Sequence, residues 1–208
     1  MKKTLLVLLA GLISITAFAA EPDVKLPGLT VRPGSPPSVE ATGNICLTNG
    51  ILEFIASEKE GRDYESLITL DIKPWAMNTA LLLIGCEPGE TNGTRLSLDI
   101  EWTNAGKTNR IPIEKLLVSR KTEKPPGPLI WIFTGSYFTT NPITGQRVFI
   151  ADEERAFVAL WWQTSIPINL SQESGNPYRG DNEGFEVNTN TVPALGTPIK
   201  LIFRKQAK

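Results

Sequence analysis

The chain contains no histidine. That absence removes the serine–histidine and cysteine–histidine nucleophile systems, most catalytic zinc sites and the usual proton switch near neutral pH. Carboxylate-only catalysis and a calcium site survive it. Cysteine is nearly absent too, with Cys46 and Cys86 alone. Basic clusters are missing except at the tail, where Arg204, Lys205 and Lys208 lie close together. This argues against a nucleic-acid partner and against a polybasic membrane tether. Beyond the first twenty residues, no apolar run approaches the roughly 20 residues needed to span a bilayer. Leu81 to Cys86 is far too short.

What is there begins with an export signal. Lys2 and Lys3 form a positive start, Thr4 to Thr16 an apolar stretch, and Ala17-Phe18-Ala19 a small-residue cleavage site. The expectation is a signal peptide over residues 1–19 and a soluble mature protein without a transmembrane anchor. Its destination would be the periplasm, the outer-membrane surface or the extracellular space. No cysteine lies near the cleavage site, which speaks against a lipid anchor. Removal of residues 1–19 takes away Lys2 and Lys3 and no acid. The 21 basic residues then become 19 against 22 acidic ones, a net charge of about −3.

An oxidising compartment makes a bridge between Cys46 and Cys86 the expected state. It would close a loop of about 40 residues, worth roughly 4 kcal/mol in the chain-entropy account. The alternative is two separately buried small hydrophobes.

Residues 20–42 read as a proline-rich linker, with Pro22, Pro27, Pro33, Pro36 and Pro37 and no periodic apolar pattern. It either spaces the domain from a partner or frays as a terminus. Residues 43–208 read as one globular domain. Ile45-Cys46-Leu47 and Ile51 to Ile55 flank an Asn49-Gly50 turn and look like a hairpin. Leu67 to Ile72 continues as a strand. Pro74 suits the first turn of a helix running to Ile84, with Gly85 at its end. That helix is apolar nearly all round, so burial on most sides is expected, with Trp75, Leu81, Leu82 and Leu83 in the core.

Arg95 to Trp102 alternates polar and apolar residues, Asn104 to Lys107 turns it back, and Pro112 to Ser119 suits a short helix. Strands are expected at Leu129–Phe133, Val148–Ala151, Ala156–Trp162 and Ile199–Phe203. About eight or nine short strands predict a mainly β fold, with α+β as the variant. The expected core is an antiparallel, immunoglobulin-like sandwich with one buried helix and a few short helices.

Three runs carry a resemblance: Gly50 to Phe54, Tyr64 to Leu67, and Ala80 to Gly89. Trp131 to Ser136, Ala151-Asp152 and Val192 to Pro198 extend it over roughly residues 43–203. The ordered set resembles the YdjY-domain family of exported bacterial proteins, which brings no agreed activity. The chain departs from that pattern. Tyr64-Glu65-Ser66 stands where the family often has His-Glu-Ser. A histidine common near the helix start is replaced within Ala76-Met77-Asn78, and a cysteine is missing near Ser57. A metal or redox site built from such residues in relatives would be degraded here, which favours a binding or structural role.

The candidate residues each have two readings. Glu65 can be a binding or acid/base carboxylate, or it can bond exposed backbone while Ser66 caps a turn. Asp152 to Arg155 reads as a solvated hairpin turn. Asp181-Asn182-Glu183-Gly184 offers close oxygen ligands without the spacing of an EF-hand loop, so no metal and no cofactor are expected. Trp161 and Trp162 point to opposite faces of a strand, and one can be an exposed stacking platform. The loop from Ser171 to Thr191 is long and polar. Trp162, with Tyr178, Asp181 and Asn182 in that loop, is the expected recognition surface, alongside Glu65 and Ser66.

The functional expectation is an exported non-catalytic binding or assembly module of the cell envelope. Its partner would be an envelope protein or glycan, a surface appendage included. The alternative is a hydrolase using two carboxylates, such as Glu65 and Asp152, on an extracytoplasmic glycan.

Overall fold

The computed structural model describes residues 22–172, 174–179 and 183–206. The expected leader at 1–19 therefore lies outside the described residues. The chain begins with β1 (Val24–Leu26) and β2 (Leu29–Arg32), which pair across the Pro27-Gly28 turn. β2 then pairs antiparallel with β3 (Ser38–Ile45). The expected linker over 20–42 is thus corrected: in its described part, from residue 22, it carries three strands of the sheet. Pro22 precedes β1 and Pro27, Pro33, Pro36 and Pro37 sit between strands, where a missing N–H breaks no ladder, while Leu29, Val31, Val39 and Ala41 enter the core.

Next come β4 (Ile51–Leu52), β5 (Phe54–Glu58), β6 (Ser66–Leu70) and helix α1 (Pro74–Leu83). β7 (Arg95–Asn104) and β8 (Lys107–Pro112) form a hairpin through Ala105 and Gly106. They are followed by β9 (Leu117–Ser119), β10 (Trp131–Phe133), β11 (Phe138–Thr140) and β12 (Arg147–Phe149). Helix α2 (Ile150–Glu154) leads to β13 (Ala156–Ala159), β14 (Ile168–Leu170), β15 (Phe185–Val187) and β16 (Pro198–Lys205).

Mainly β holds, but the sandwich does not. Strands β3, β16, β7, β10, β14, β13, β5 and β6 pair in that order, and β6 returns to β3, closing an eight-stranded barrel. It is mixed: β5 runs parallel to β6, and β13 parallel to β14. Closure needs a close approach at Gly43, where a Cβ would stand 2.0 Å from the Thr69 carbonyl oxygen. Only glycine lets β3 carry β16 on one side and meet β6 on the other at that point. The Asn49-Gly50 turn makes no hairpin, because β4 pairs with β15 instead.

Along β7, Leu96, Leu98 and Ile100 are buried and alternate with half-exposed Ser97, Asp99 and Glu101. These side chains join Trp131, Phe133, Phe157 and Phe203 in one cluster, as expected for a small barrel filled by its own residues. A smaller separate cluster gathers Phe54, Ala156, Ala159 and Ile166.

Helix α1 follows its sequence signals at both ends, with Pro74 in the first turn and Gly85 at φ +75° just past the last. Its burial differs from expectation. Pro74, Met77, Ala80 and Leu81 form the buried stripe against β2, β3 and β13. Trp75, Leu82 and Leu83 are 52 %, 45 % and 64 % exposed. The barrel wall receives one face of the helix, and those three side chains lie on the uncovered side. The expected turn at 152–155 is the short helix α2, ended by Arg155 in the left-handed region. Among the described residues no helix is long and apolar enough to cross a membrane.

Candidate functional site

Glu65 and Ser66 stand at the start of β6, after a short 3-10 turn at Asp63–Glu65. Glu65 is 6 % exposed and pairs with Arg62 Nη1 at 3.2 Å. The same guanidinium reaches Glu154 Oε2 at 2.6 Å and lies 5.4 Å over the Phe54 ring. Ser66 Oγ donates to the Arg62 carbonyl at 2.7 Å. Glu65 thus forms the buried end of a cross-link between the β6 start and α2, with Arg62 and Glu154 partly exposed. Tyr178 is 54 % exposed, and its hydroxyl donates to the Ile51 carbonyl at 3.5 Å. Burial, then the Glu65 and Glu53 carboxylates, push its phenol above the ordinary value. The structure therefore brings Tyr178 near Glu65. Asp181 and Asn182 lie outside the described residues.

Asp152 is engaged elsewhere. Its Oδ1 accepts the Trp75 N–H at 3.0 Å, at the exposed N-terminal donors of α1. Burial pushes its carboxyl upward, and that hydrogen bond opposes the shift. The concavity beside it, about 400 Å³, is lined by Trp75, Phe138, Arg147, Val148, Phe149, Asp152 and Glu153 and does not include Glu65. The two carboxylates proposed for a hydrolase serve different contacts.

The expected bridge is also corrected. Cys46 and Cys86 are both free. Cys46 Sγ donates to the Ser66 carbonyl at 3.0 Å. Burial and the Asp63 charge push its thiol up to about 12. Burial pushes Cys86 up to about 11, with Lys205 opposing. β3 ends beside β6, whereas the turn after α1 comes back near Lys205, so the chain carries the two thiols to different partners.

Trp162 stands apart from all of these, 39 % exposed on the wall of a cleft of about 740 Å³. That volume falls inside the roughly 300–1,000 Å³ range of small-molecule pockets. The cleft is lined also by Ile130 and Ile132, by Glu87 and the run from Glu90 to Arg95 in the loop after α1, and by Ser171, Lys205 and Gln206. The loop is fixed to the barrel. Gly89 N–H donates to the Phe133 carbonyl at 3.1 Å, Thr94 N–H to Glu87 O at 2.9 Å, and Gly93 N–H to Gly89 O at 3.2 Å. Arg95 opens β7 directly opposite Ile132 of β10, and its carbonyl accepts the Gln206 N–H at 2.9 Å. Lys205 Nζ is tied to the Gly85 carbonyl at 2.7 Å.

Of the expected site residues, the structure places Glu65, Ser66 and Tyr178 in one region and Trp162 in another. The residues around Trp162 went unnoticed in the sequence. The turn-rich run Glu87 to Gly93 between helix and strand was their one local signal. Among the described residues no group of three metal-ligating side chains is gathered.

No family model matches the chain, and neither a curated protein nor a solved structure matches it. The resemblance to the YdjY-domain family rests on its motifs alone.

Proposed function

We propose that this protein is an exported, non-catalytic binding module of the cell envelope, and that its ligand sits in the cleft beside Trp162. The observation that carries this reading is a half-exposed indole on a cleft that is also lined by a loop pinned to the barrel by backbone hydrogen bonds. An aromatic ring left partly in water gains by covering its face with a ligand. A loop held in this way loses little freedom when that ligand arrives. Ile130, Ile132 and Trp162 give the lining an apolar part and Thr91, Asn92, Ser171 and Gln206 a polar one, the mixture usual in a recognition site. The reading as a binder is supported further by Glu65 and Asp152, each occupied by a structural partner.

Affinity capture from native envelope extracts tests the proposal, with captured protein and glycan analysed separately. Wild-type protein is expected to retain material that Trp162→Ala does not, at unchanged thermal stability. Equal retention by both proteins contradicts it.

A further inference from the structure

We infer that the cleft beside Trp162 takes an acidic saccharide, with the sugar ring on the indole and its carboxylate on Arg95. This rests on the reading of that cleft as the binding site and adds the class of ligand.

The argument starts from the arginines. Arg32, Arg62, Arg110, Arg120, Arg155 and Arg204 are each ion-paired with a carboxylate. Arg147 lies 4.5 Å over the Phe138 ring. Among the arginines with described side chains, only Arg95 has neither an acid, a carbonyl nor a ring against its guanidinium, and it lines the largest cleft described above. A guanidinium presents a planar fork of donors that fits a carboxylate with two parallel hydrogen bonds. Arg95 keeps that fork open although Glu87 and Glu90 line the same cleft.

Those two carboxylates also limit the charge density of the ligand. A polyphosphate or a nucleic acid would set its charges against them, at a cost in like-charge repulsion. Single carboxylates spaced along neutral rings avoid that cost. Trp162 supplies a face for a ring, while Thr91, Asn92, Ser171 and Gln206 line the cleft with groups suited to sugar hydroxyls. Arg95 sits on a strand whose backbone is paired on both sides, with β10 and with β16, so the base of its side chain is fixed before binding while the guanidinium stays free to turn toward a ligand.

Titration calorimetry against trigalacturonate, trimannuronate and a hyaluronan tetrasaccharide, each beside its methyl ester, tests the inference. At least one acid is expected to bind. Its methyl ester, which keeps the ring and loses the charge, should bind at least ~10-fold more weakly. Arg95→Gln should lose a similar factor for the acid and no longer distinguish acid from ester, and Trp162→Ala should lose both. Equal binding of acid and ester, an unaffected Arg95→Gln, or no binding by any of the acids overturns the inference. If Trp162→Ala still loses its ligand while Arg95→Gln keeps it, the ligand class fails and the site stands. Acid binding that survives Trp162→Ala fails the site itself.

Discussion

Gly93 lies so close to Phe133 that a Cβ added to it would stand 2.2 Å from the Phe133 carbonyl oxygen and 2.5 Å from that of Gly89. The loop that lines the Trp162 cleft is therefore pressed onto β10 at a point where no side chain fits. Gly93→Ala must push the loop off the strand or strain it. The expected cost is about 1–3 kcal/mol, as for other overpacked positions. Urea denaturation measures it. A loss under about 0.5 kcal/mol would mean the loop moves freely and the lining is not preformed.

Leu81 and Leu82 separate the two faces of α1. Leu81 is fully buried, so Leu81→Ala should cost about 2–5 kcal/mol. Leu82 is 45 % exposed, and its truncation should cost less than about 1 kcal/mol. Equal losses would place both leucines in the core and contradict the exposed stripe.

Here the sequence was informative about local structure and silent about closure. Pro74 and Gly85 mark the ends of α1 because backbone chemistry fixes them locally. The alternation of Leu96, Leu98 and Ile100 marks β7 for the same reason. Whether the sheet splits into a sandwich or returns on itself depends on Gly43 meeting Thr69, a contact between distant segments that periodicity does not encode. The proline count hid β2 and β3, since prolines placed between strands look like those of a linker. Trp162 was legible as an amphipathic ring near a strand end. Arg95 was not, because its interest lies in lacking a partner, which appears only once the other arginines with described side chains have been placed.

Arg62 offers a test of the Glu65 reading. Arg62→Ala would leave the Glu65 carboxylate buried without its cation, and the expected loss is about 1–3 kcal/mol in chemical denaturation. Glu65→Gln should leave binding at the Trp162 cleft unchanged, since Glu65 lines no part of it. Loss of ligand binding in a folded Glu65→Gln protein would move the site to the Tyr178 region.

The two thiols are expected to be free and slow. With Cys46 raised to about 12 and Cys86 to about 11, little thiolate exists at pH 8. Native protein should alkylate on the order of 100-fold more slowly than an ordinary exposed thiol. In denaturant without reductant, intact mass should rise by two alkylations. A protein that takes up none would carry the bridge that the structure lacks.

The location of the binding site is tested most directly by nitrogen-15 correlation spectroscopy during titration with soluble glycan fragments from the native envelope. The account predicts that the Trp162 indole N–H and the backbone amides of Gly93 and Arg95 shift together and saturate at one concentration. Trp75 on α1 and Tyr64 near Glu65 should stay in place. Shifts gathered around Trp75 and Phe138, or around Tyr64 and Tyr178, with the Trp162 indole unmoved, would contradict it.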